Sequence, residues 1–290
     1  VRGVIRGQSL RYQSSPAVTL SAEASYTSGR IEIPHLTARS DLGDADASGS
    51  LALNESAGPS RLSVQMARPD IDSVLAAAGI KSAIKAGSSA SGRVDVDLDG
   101  PVSTPSPELW QRVKAEGSIA FAPTGAGLSI QGQAALNLQG GHWTLRHEIR
   151  SVVASTTLAG AVSGDAPDLE STDQHRLSGR TRLRISDVRA LLPILQQAGL
   201  TIPAQFEDVH GEIDAQIVPR GTLQAPSADA TIAGRSIQIP DLARNGQLDS
   251  AIAIDKRAIT ARSLTAQLHS VRLSGSGGYM WNGQTASRFT

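Results

Sequence analysis

The sequence predicts an all-β protein: an elongated, curled antiparallel sheet that forms an open groove and carries two short amphipathic helices. Three observations predict this. Apolar residues alternate with polar or very small residues through most of the chain, which is the period of strands with one covered and one wet face. Turn-forming residues separate the alternating runs. A strand–helix–strand signature occurs at residues 61–95 and again at residues 182–214, which indicates an array of similar units.

Composition excludes several classes of function. The 290 residues include 27 Lys+Arg and 27 Asp+Glu, so no net charge attracts the chain to nucleic acid. Hydrophobic residues make up 40% of the chain but aromatic residues only 3%, which leaves few rings to stack on sugars or bases. Cysteine is absent, which excludes disulfides and thiolate zinc sites.

The organisation of the chain is that of a repeat array. No run reaches the roughly 18–20 apolar residues of a membrane span, and no signal peptide is recognised. The sequence starts at Val1 within an alternating run, so we expect it to be an internal segment of a larger repetitive protein. Approximate repeats cover residues 29–121 and 182–280, and no separate globular domain is expected.

The strands follow one another along the chain. Each pair or triplet of apolar residues keeps one parity, so its side chains are expected on one face of the sheet, where they would line the groove. The candidate lining residues are Ile31, Ile33, Leu51, Leu53, Leu62, Val64, Val94, Val96, Leu98, Ile119, Phe121, Leu128, Ile130, Leu136, Leu138, Leu183, Ile185, Ile213, Ile217, Ile237, Ile239, Ile252, Ile254, Leu264 and Leu268.

Turn signals separate these runs at residues 27–29, 57–59, 124–127, 140–141 and 220–221, which are rich in glycine. Their spacing fits successive antiparallel strands. Because no alternation of strands with long helices is present, a doubly wound nucleotide-binding sheet is not expected.

Two segments have the i, i+3, i+4, i+7 apolar spacing of an amphipathic helix. The first is expected at residues 70–78, starting at Asp70 and stopping at Gly79; the second is expected at residues 187–198, stopping at Gly199. Each helix has a single apolar stripe, so we expect each to cover a sheet edge or to plug the groove.

No motif supports a metal site. Asp95, Asp97 and Asp99 stand at alternate positions like the opening of a calcium-binding loop, but Ser106 occupies the twelfth position, where that loop needs a bidentate glutamate. The same three acids fit the wet face of a strand. His147-Glu148 begins like a zinc protease motif, yet the fifth residue is Ser151 instead of histidine.

No motif supports catalysis either. The sequence lacks the Gly-x-Ser-x-Gly elbow of hydrolases and a phosphate-binding loop ending in Gly-Lys-Ser/Thr. We therefore expect a protein that is not an enzyme and that has no cofactor.

The stretch from residue 209 to residue 278 resembles the AsmA-like/TamB superfamily of bacterial envelope proteins. The resemblance rests on five segments: GEIDAQI at 211–217, GTLQAP at 221–226, GRSIQIP at 234–240, LTA at 264–266 and LSGSG at 273–277.

The front of the chain repeats the pattern with GRIEIPHLTA at 29–38 and SGSL at 48–51, and the two helix segments are also similar to those of the family.

The resemblance implies a long β-taco whose hydrophobic groove is open along its length. It implies a non-enzymatic periplasmic conduit or scaffold for lipid transport and outer membrane biogenesis. The groove would carry phospholipid acyl chains between the inner and outer membranes, or assist outer-membrane protein assembly. The implied partners are phospholipid, an outer-membrane β-barrel assembly protein and, through a segment outside this chain, the inner membrane. The implied location is the periplasm, as part of an inner-membrane-anchored envelope protein.

Two alternatives remain open from the residues themselves. One is a structural or adhesive extracellular β-solenoid with a closed aliphatic core. The other is a β-helix enzyme acting on polysaccharide, which the scarcity of aromatic residues and the absence of an acid cluster disfavour. Alternation is the same whether the apolar face lines an open groove or a filled interior. The sequence therefore does not separate the open-groove conduit from the closed solenoid.

Overall fold

The computed structural model describes residues 1–10, 18–40, 42–77, 85–102, 111–125, 127–165, 175–197, 201–222, 224–240, 243–280 and 285–289. Strands dominate these residues, as predicted, and seventeen of them are defined. The chain forms two compact units: residues 1–145 with 165–171, and residues 146–164 with 172–290.

Unit one is an antiparallel meander in which each strand pairs with the next one along the chain. A 3₁₀ turn, Glu55–Ala57, precedes the fifth strand, and helix α1, Ile71–Ala77, follows it. The strands are β1 Arg2–Leu10, β2 Val18–Thr27, β3 Arg30–Ser40, β4 Gly43–Ala52, β5 Ser60–Asp70, β6 Ser88–Leu98, β7 Val113–Pro123 and β8 Ile130–Gln139.

Unit two is also an antiparallel meander. From the strand Thr156–Asp165 onward, each strand pairs with the next one along the chain. Strand β9, His142–Ser151, contributes residues to both units. Helix α2, Leu192–Gln197, lies between 3₁₀ turns at Val188–Leu191 and Ala204–Phe206. The other strands are β10 Thr156–Asp165, β11 Leu177–Ile185, β12 His210–Gly221, β13 Pro226–Ile239, β14 Ala243–Ile254, β15 Ala258–Leu268, β16 Val271–Met280 and β17 Thr285–Phe289.

Two of the turn signals form tight hairpin turns. Ser28 and Gly29 have φ angles of 48° and 80°, and Gly140 and Gly141 have φ angles of 59° and 78°. Positive φ at both central residues defines the type I′ turn, whose twist matches that of the flanking strands. The turn after β15 was not signalled, because His269, at φ 58°, takes the position where glycine is usual.

The expectation of a curled groove is wrong at the level of each unit, since neither unit closes or curls strongly. A strongly curled sheet needs bulky side chains to fill its concave face. Here most of the buried hydrophobic residues are alanines, and the largest fully buried side chains among the described residues are those of Ser60 and Ser88. The buried layer therefore consists mainly of small side chains, which do not fill the inside of a strongly curled sheet.

Both helix segments contain helical structure, but the second is not one continuous α-helix. Helix α1 covers most of the predicted residues 70–78. In the second segment, residues 188–191 are 3₁₀ and only residues 192–197 are α-helical. Pro193 explains this difference, because its ring excludes an α-helical turn before it. The predicted stops at Gly79 and Gly199 lie outside the described residues.

Two predicted strand residues lie just outside the ladders. Leu53 follows β4, where its amide donates to the carbonyl of Gly29 at 2.7 Å. Leu128 precedes β8, where its amide donates to the carbonyl of Lys85 at 2.9 Å. The predictions that Leu53 and Leu128 belong to strands are therefore wrong. The apolar alternation extends beyond the paired residues of each strand into the adjoining loop, so it does not mark where the strand ends.

A small apolar cluster lies in unit two beneath helix α2. Its buried members are Leu192, Val209 and Ile239, and partly buried Val188, Ile202, Ile237 and Leu268 pack against them. Leu192 of the helix thus packs at the end of the sheet, together with residues of strands β13 and β15.

Candidate functional site

One face of unit one is aliphatic across four adjacent strands. Leu62 of β5 lies opposite Val96, which lies opposite Ala115 of β7, which in turn lies opposite Leu138 of β8. Residues directly opposite one another in an antiparallel ladder point to the same face. The next row on this face repeats the arrangement with Val64, Val94, Gly117 and Leu136.

Unit two has an equivalent face. Leu183 of β11 lies opposite Ala215, and Ala215 lies opposite Ile232 of β13. The row continues through Ser250 to Leu264 of β15. The next row contains Ile185, Ile213, Gly234, Leu248, Ala266 and Leu273. We call these two surfaces the aliphatic faces.

The aliphatic faces are covered only in part. None of the candidate lining residues is fully exposed, and most are partly buried. Leu98, Leu138 and Ile185 are buried, at 7%, 7% and 6% of their full exposure. Farther along the second face, on β16, Leu273 remains 50% exposed. The faces are therefore accessible along part of their area, unlike the interior of a closed core.

Three candidate lining residues have a different environment from the one expected. Ile237, Ile239 and Leu268 belong to the cluster beneath helix α2, so they pack against a helix at the end of the sheet. Conversely, sequence reasoning missed Ile232 and Leu248, which lie within the second aliphatic face. Ile232 stands between Ala230 and Gly234 at alternate positions of β13, and those small residues hid the alternation.

The opposite faces carry exposed ion pairs. The guanidinium of Arg61 lies 3.3 Å from Asp97, and that of Arg93 lies 2.9 Å from Asp95. Hydrogen bonds from Arg93, and then from the Ser63 hydroxyl, hold the pKa of Asp95 below its ordinary value. Exposed pairs of this kind contribute little to stability. They show that Asp95 and Asp97 occupy the wet face of β6 and already have cationic partners.

An equivalent ion pair lies on the polar face of unit two. The Nε of Arg182 donates to Asp214 at 2.8 Å, and Arg184 also approaches this carboxylate, at 3.7 Å. Arg182 is the main cause of the lowered pKa of Asp214. Arg182 and Arg184, which are two residues apart on β11, therefore share one carboxylate on β12.

The histidines do not converge on a common site in the described part of the chain. Nδ1 of His142 lies 2.8 Å from Asp165, whereas Nε2 of His147 lies 3.3 Å from the hydroxyl of Thr181. No group of three or more His, Asp or Glu side chains among the described residues could hold a metal ion.

Two cavities of unit two were not anticipated. One, of about 530 Å³, lies mainly against polar-face residues and is lined by side chains that include Arg182, Asp214, Arg235 and Asp249. The other, of about 860 Å³, lies at the end of the sheet, where several turns meet. Sequence periodicity contains no signal for the second, because its residues come from five separate segments.

Comparison with known proteins gives no assignment: no protein-family model, curated protein or solved structure matches the chain. Within the described residues, none of the helices has the length and apolar character needed to cross a membrane.

Proposed function

We propose that this chain is part of a non-enzymatic bacterial envelope protein whose aliphatic faces contact phospholipid acyl chains. The observation that carries the proposal is the continuous, partly exposed row of aliphatic side chains that crosses adjacent strands in each unit. The resemblance of residues 211–277 to AsmA-like proteins supports it. The proposal includes a periplasmic location, an inner-membrane anchor outside this chain and an outer-membrane assembly partner.

The chemistry of the faces suits weak, repeated contact with lipid. Each fully buried methylene group contributes about 0.8 kcal/mol, and a chain lying on one open surface buries only part of its area. The rows contain leucine, isoleucine, valine, alanine and glycine, with Ser250 as their one polar side chain. The hydroxyl of Ser250 donates to the carbonyl of Ser263 at 2.9 Å, so it is already satisfied within the sheet. Such a surface favours exchange of acyl chains along its length over tight capture.

An open sheet changes how the lipid would be held. Because neither unit curls strongly, an acyl chain would lie along the aliphatic face with its other side uncovered. A second apolar surface, from another acyl chain or from another part of the protein, would then complete its burial. Large exposed apolar patches on proteins commonly mark such interaction surfaces.

Site-specific photo-crosslinking in cells tests the proposal. A photoreactive residue at Val96 or Ile217, which lie on the aliphatic faces, should capture phospholipid. The same residue at Asp95 or Gln216, one position away on the opposite face, should not. Equal capture of lipid from both faces would contradict the proposal.

The alternative is a structural or adhesive β-solenoid in which the aliphatic face is sealed. Buried Leu98 and Leu138 favour this alternative locally. It makes the opposite prediction for the same experiment, because the photoreactive residue at Val96 would then capture only protein, and no lipid.

A further inference from the structure

The cavity of about 860 Å³ in unit two has an unusual lining. It is formed where the 3₁₀ turn before α2, the start of β12, the end of β13, the start of β14 and the β15–β16 turn come together. Two arginines, two histidines and one aspartate line it beside five apolar residues and a glutamine. These residues are Arg189, Asp208, His210, Gln238, Ile239, Pro240, Ala243, Arg244, Leu268, His269 and Val271.

Arg189 is held in place by a chain of polar contacts. One edge of its guanidinium lies 2.9 Å from Asp208, and Nη1 lies 3.5 Å from Nε2 of His210. Nδ1 of His210 in turn lies 3.3 Å from Asp187. The neutral imidazole with its proton on Nδ1 satisfies both contacts, since it donates to Asp187 and accepts from Arg189. Arg189 is therefore positioned before any ligand arrives.

Arg244 supplies a second positive charge to the lining. It is exposed and forms no ion pair with any residue that the structure describes. With Arg189 balanced by Asp208, the lining has one excess positive charge when both histidines are neutral. The planar guanidinium of an unpaired arginine binds oxyanions such as phosphate through two parallel hydrogen bonds.

The other wall of the cavity is apolar. Ile239 and Leu268 belong to the cluster beneath helix α2. Val271, in the following strand, is 53% exposed. A ligand here would meet cationic groups at one end and aliphatic side chains at the other. The cavity volume lies within the roughly 300–1,000 Å³ range of ligand pockets.

We propose that this cavity binds the phosphate group of an anionic phospholipid, with Arg244 and Arg189 contacting the phosphate and Leu268 and Val271 contacting the first part of the acyl chains. Binding of the acyl part rests on the proposed function, whereas binding of the phosphate does not. The site would place the headgroup at the end of the sheet and direct the acyl chains toward the aliphatic face of unit two.

The test uses the full chain with short-chain phosphatidic acid below its micellar concentration, measured by calorimetry. Arg244→Gln should weaken binding about tenfold, because a charge-assisted pair is lost, and binding of the unchanged protein should weaken as salt is raised. This variant breaks no ion pair of the described structure, so folding should be retained. Arg235→Gln is the matched control, because Arg235 is an exposed strand arginine outside this cavity.

Two further ligands separate the possible sources of the phosphate. If phosphatidic acid binds more tightly than inorganic phosphate, and Arg244→Gln weakens both, the site takes a lipid headgroup. If inorganic phosphate binds equally tightly, the site is confirmed as a phosphate site that takes a soluble ligand. If neither binds, or if Arg235→Gln and Arg244→Gln weaken binding equally, the proposal is overturned.

The outcome is independent of the photo-crosslinking test. Phosphate binding that depends on Arg244, with no lipid captured at Val96 or Ile217, would leave this site standing and remove the proposed function. Lipid captured at those positions, with no dependence on Arg244, would do the reverse.

Discussion

Glycines on the aliphatic faces let neighbouring strands lie close together. Gly92 of β6 stands opposite Met66 on one side and Ile119 on the other. A Cβ at this position would lie 2.4 Å from the carbonyl oxygen of Ser118 and 3.1 Å from the Cα of Ile119. Both are backbone atoms of the ladder and cannot rotate away, so the space beside Gly92 is fully used.

Gly92→Ala should therefore destabilise unit one by about 1–3 kcal/mol, the usual cost of overpacking. Gly3→Ala is the matched control, because a Cβ at Gly3 meets nothing within 4 Å. The control should be neutral or slightly stabilising, since alanine restricts the unfolded chain. Urea unfolding of the two variants measures the difference in stability. Equal stabilities would show that the backbone at Gly92 shifts to accept a Cβ at little cost.

The start of helix α1 depends on one carboxylate. Asp70 accepts a hydrogen bond of 2.9 Å from the amide of Ser73 and one of 2.7 Å from its hydroxyl. These bonds lower the pKa of Asp70 from its ordinary 3.8, and the hydroxyl is the larger cause. The sequence predicted Asp70 as the first residue of the helix, but not the double contact with Ser73.

Ser73→Ala should raise the pKa of Asp70 toward its ordinary value, as measured by NMR titration of the carboxyl carbon. A lowered folded pKa means that the carboxylate adds stability above the ordinary pKa, and that this stability is lost as the pH falls through the folded value. The variant should therefore lose less stability than the unchanged protein between pH 7 and pH 3. Ser73→Thr, which keeps the hydroxyl, should behave like the unchanged protein; an unaltered pKa in Ser73→Ala would contradict this account.

Another contact of α1 could not be predicted from sequence. The carboxylate of Asp72 accepts hydrogen bonds from the amides of Ala86 and Gly87, at 2.7 Å and 3.1 Å. This contact joins the helix to the chain just before β6. The acid and the two amides are 14 and 15 positions apart in the sequence, and no local pattern specifies a contact over that separation.

At the scale of elements, the two strand–helix–strand units differ in how their helices are held. Leu192 of α2 is buried against Val209 and Ile239, whereas Val74 of α1 is 41% exposed. The repeated sequence signature thus specifies the same order of elements in both places. It does not specify equal packing, because the second helix has a longer connection, with Ile202 and Val209, to cover it.

Leu192→Ala should destabilise unit two by about 2–3 kcal/mol, because it removes a buried side chain and leaves a cavity. Val74→Ala is the matched control in the other helix and should change stability by less than about 0.5 kcal/mol. Thermal unfolding followed by circular dichroism measures both. A small effect of Leu192→Ala would mean that the cluster beneath α2 contributes little.

Strand order and face were largely predictable, whereas the ends of elements were not. Period-2 alternation predicted the faces of Val94, Val96 and Leu136 because a strand has only two sides. It failed at Leu53 and Leu128, since the chain leaves the ladder there without a change in pattern. It also gave no information on curvature, because a flat and a curled sheet share the same alternation.

At the scale of the whole molecule, the open aliphatic faces determine how the protein tolerates charge. Ile217 is partly buried and lies opposite Thr181 and Ala230. A carboxylate at this position could still reach water, so the large cost of an unpaired buried charge would be relieved.

Ile217→Asp should therefore leave the protein folded, with a loss of about 1–2 kcal/mol from reduced apolar burial, while lipid capture falls. Gln216→Asp, on the opposite face, should preserve both properties. Melting and photo-crosslinking measured on the same variants test this. Unfolding of Ile217→Asp would contradict an open face and favour a sealed core.

The meander has a mechanical consequence. Within each unit the described ladders join strands that are neighbours along the chain, so a strand pulled from one end detaches from a single neighbour before the next is loaded. Tension then detaches the strands one after another at low force, breaking the hydrogen bonds of a ladder in sequence. It does not have to break many hydrogen bonds at the same time. Because stability in such arrays is a sum over neighbouring elements, a stretched unit would lengthen in steps of one strand or one hairpin and recover by closing on the strands that remain.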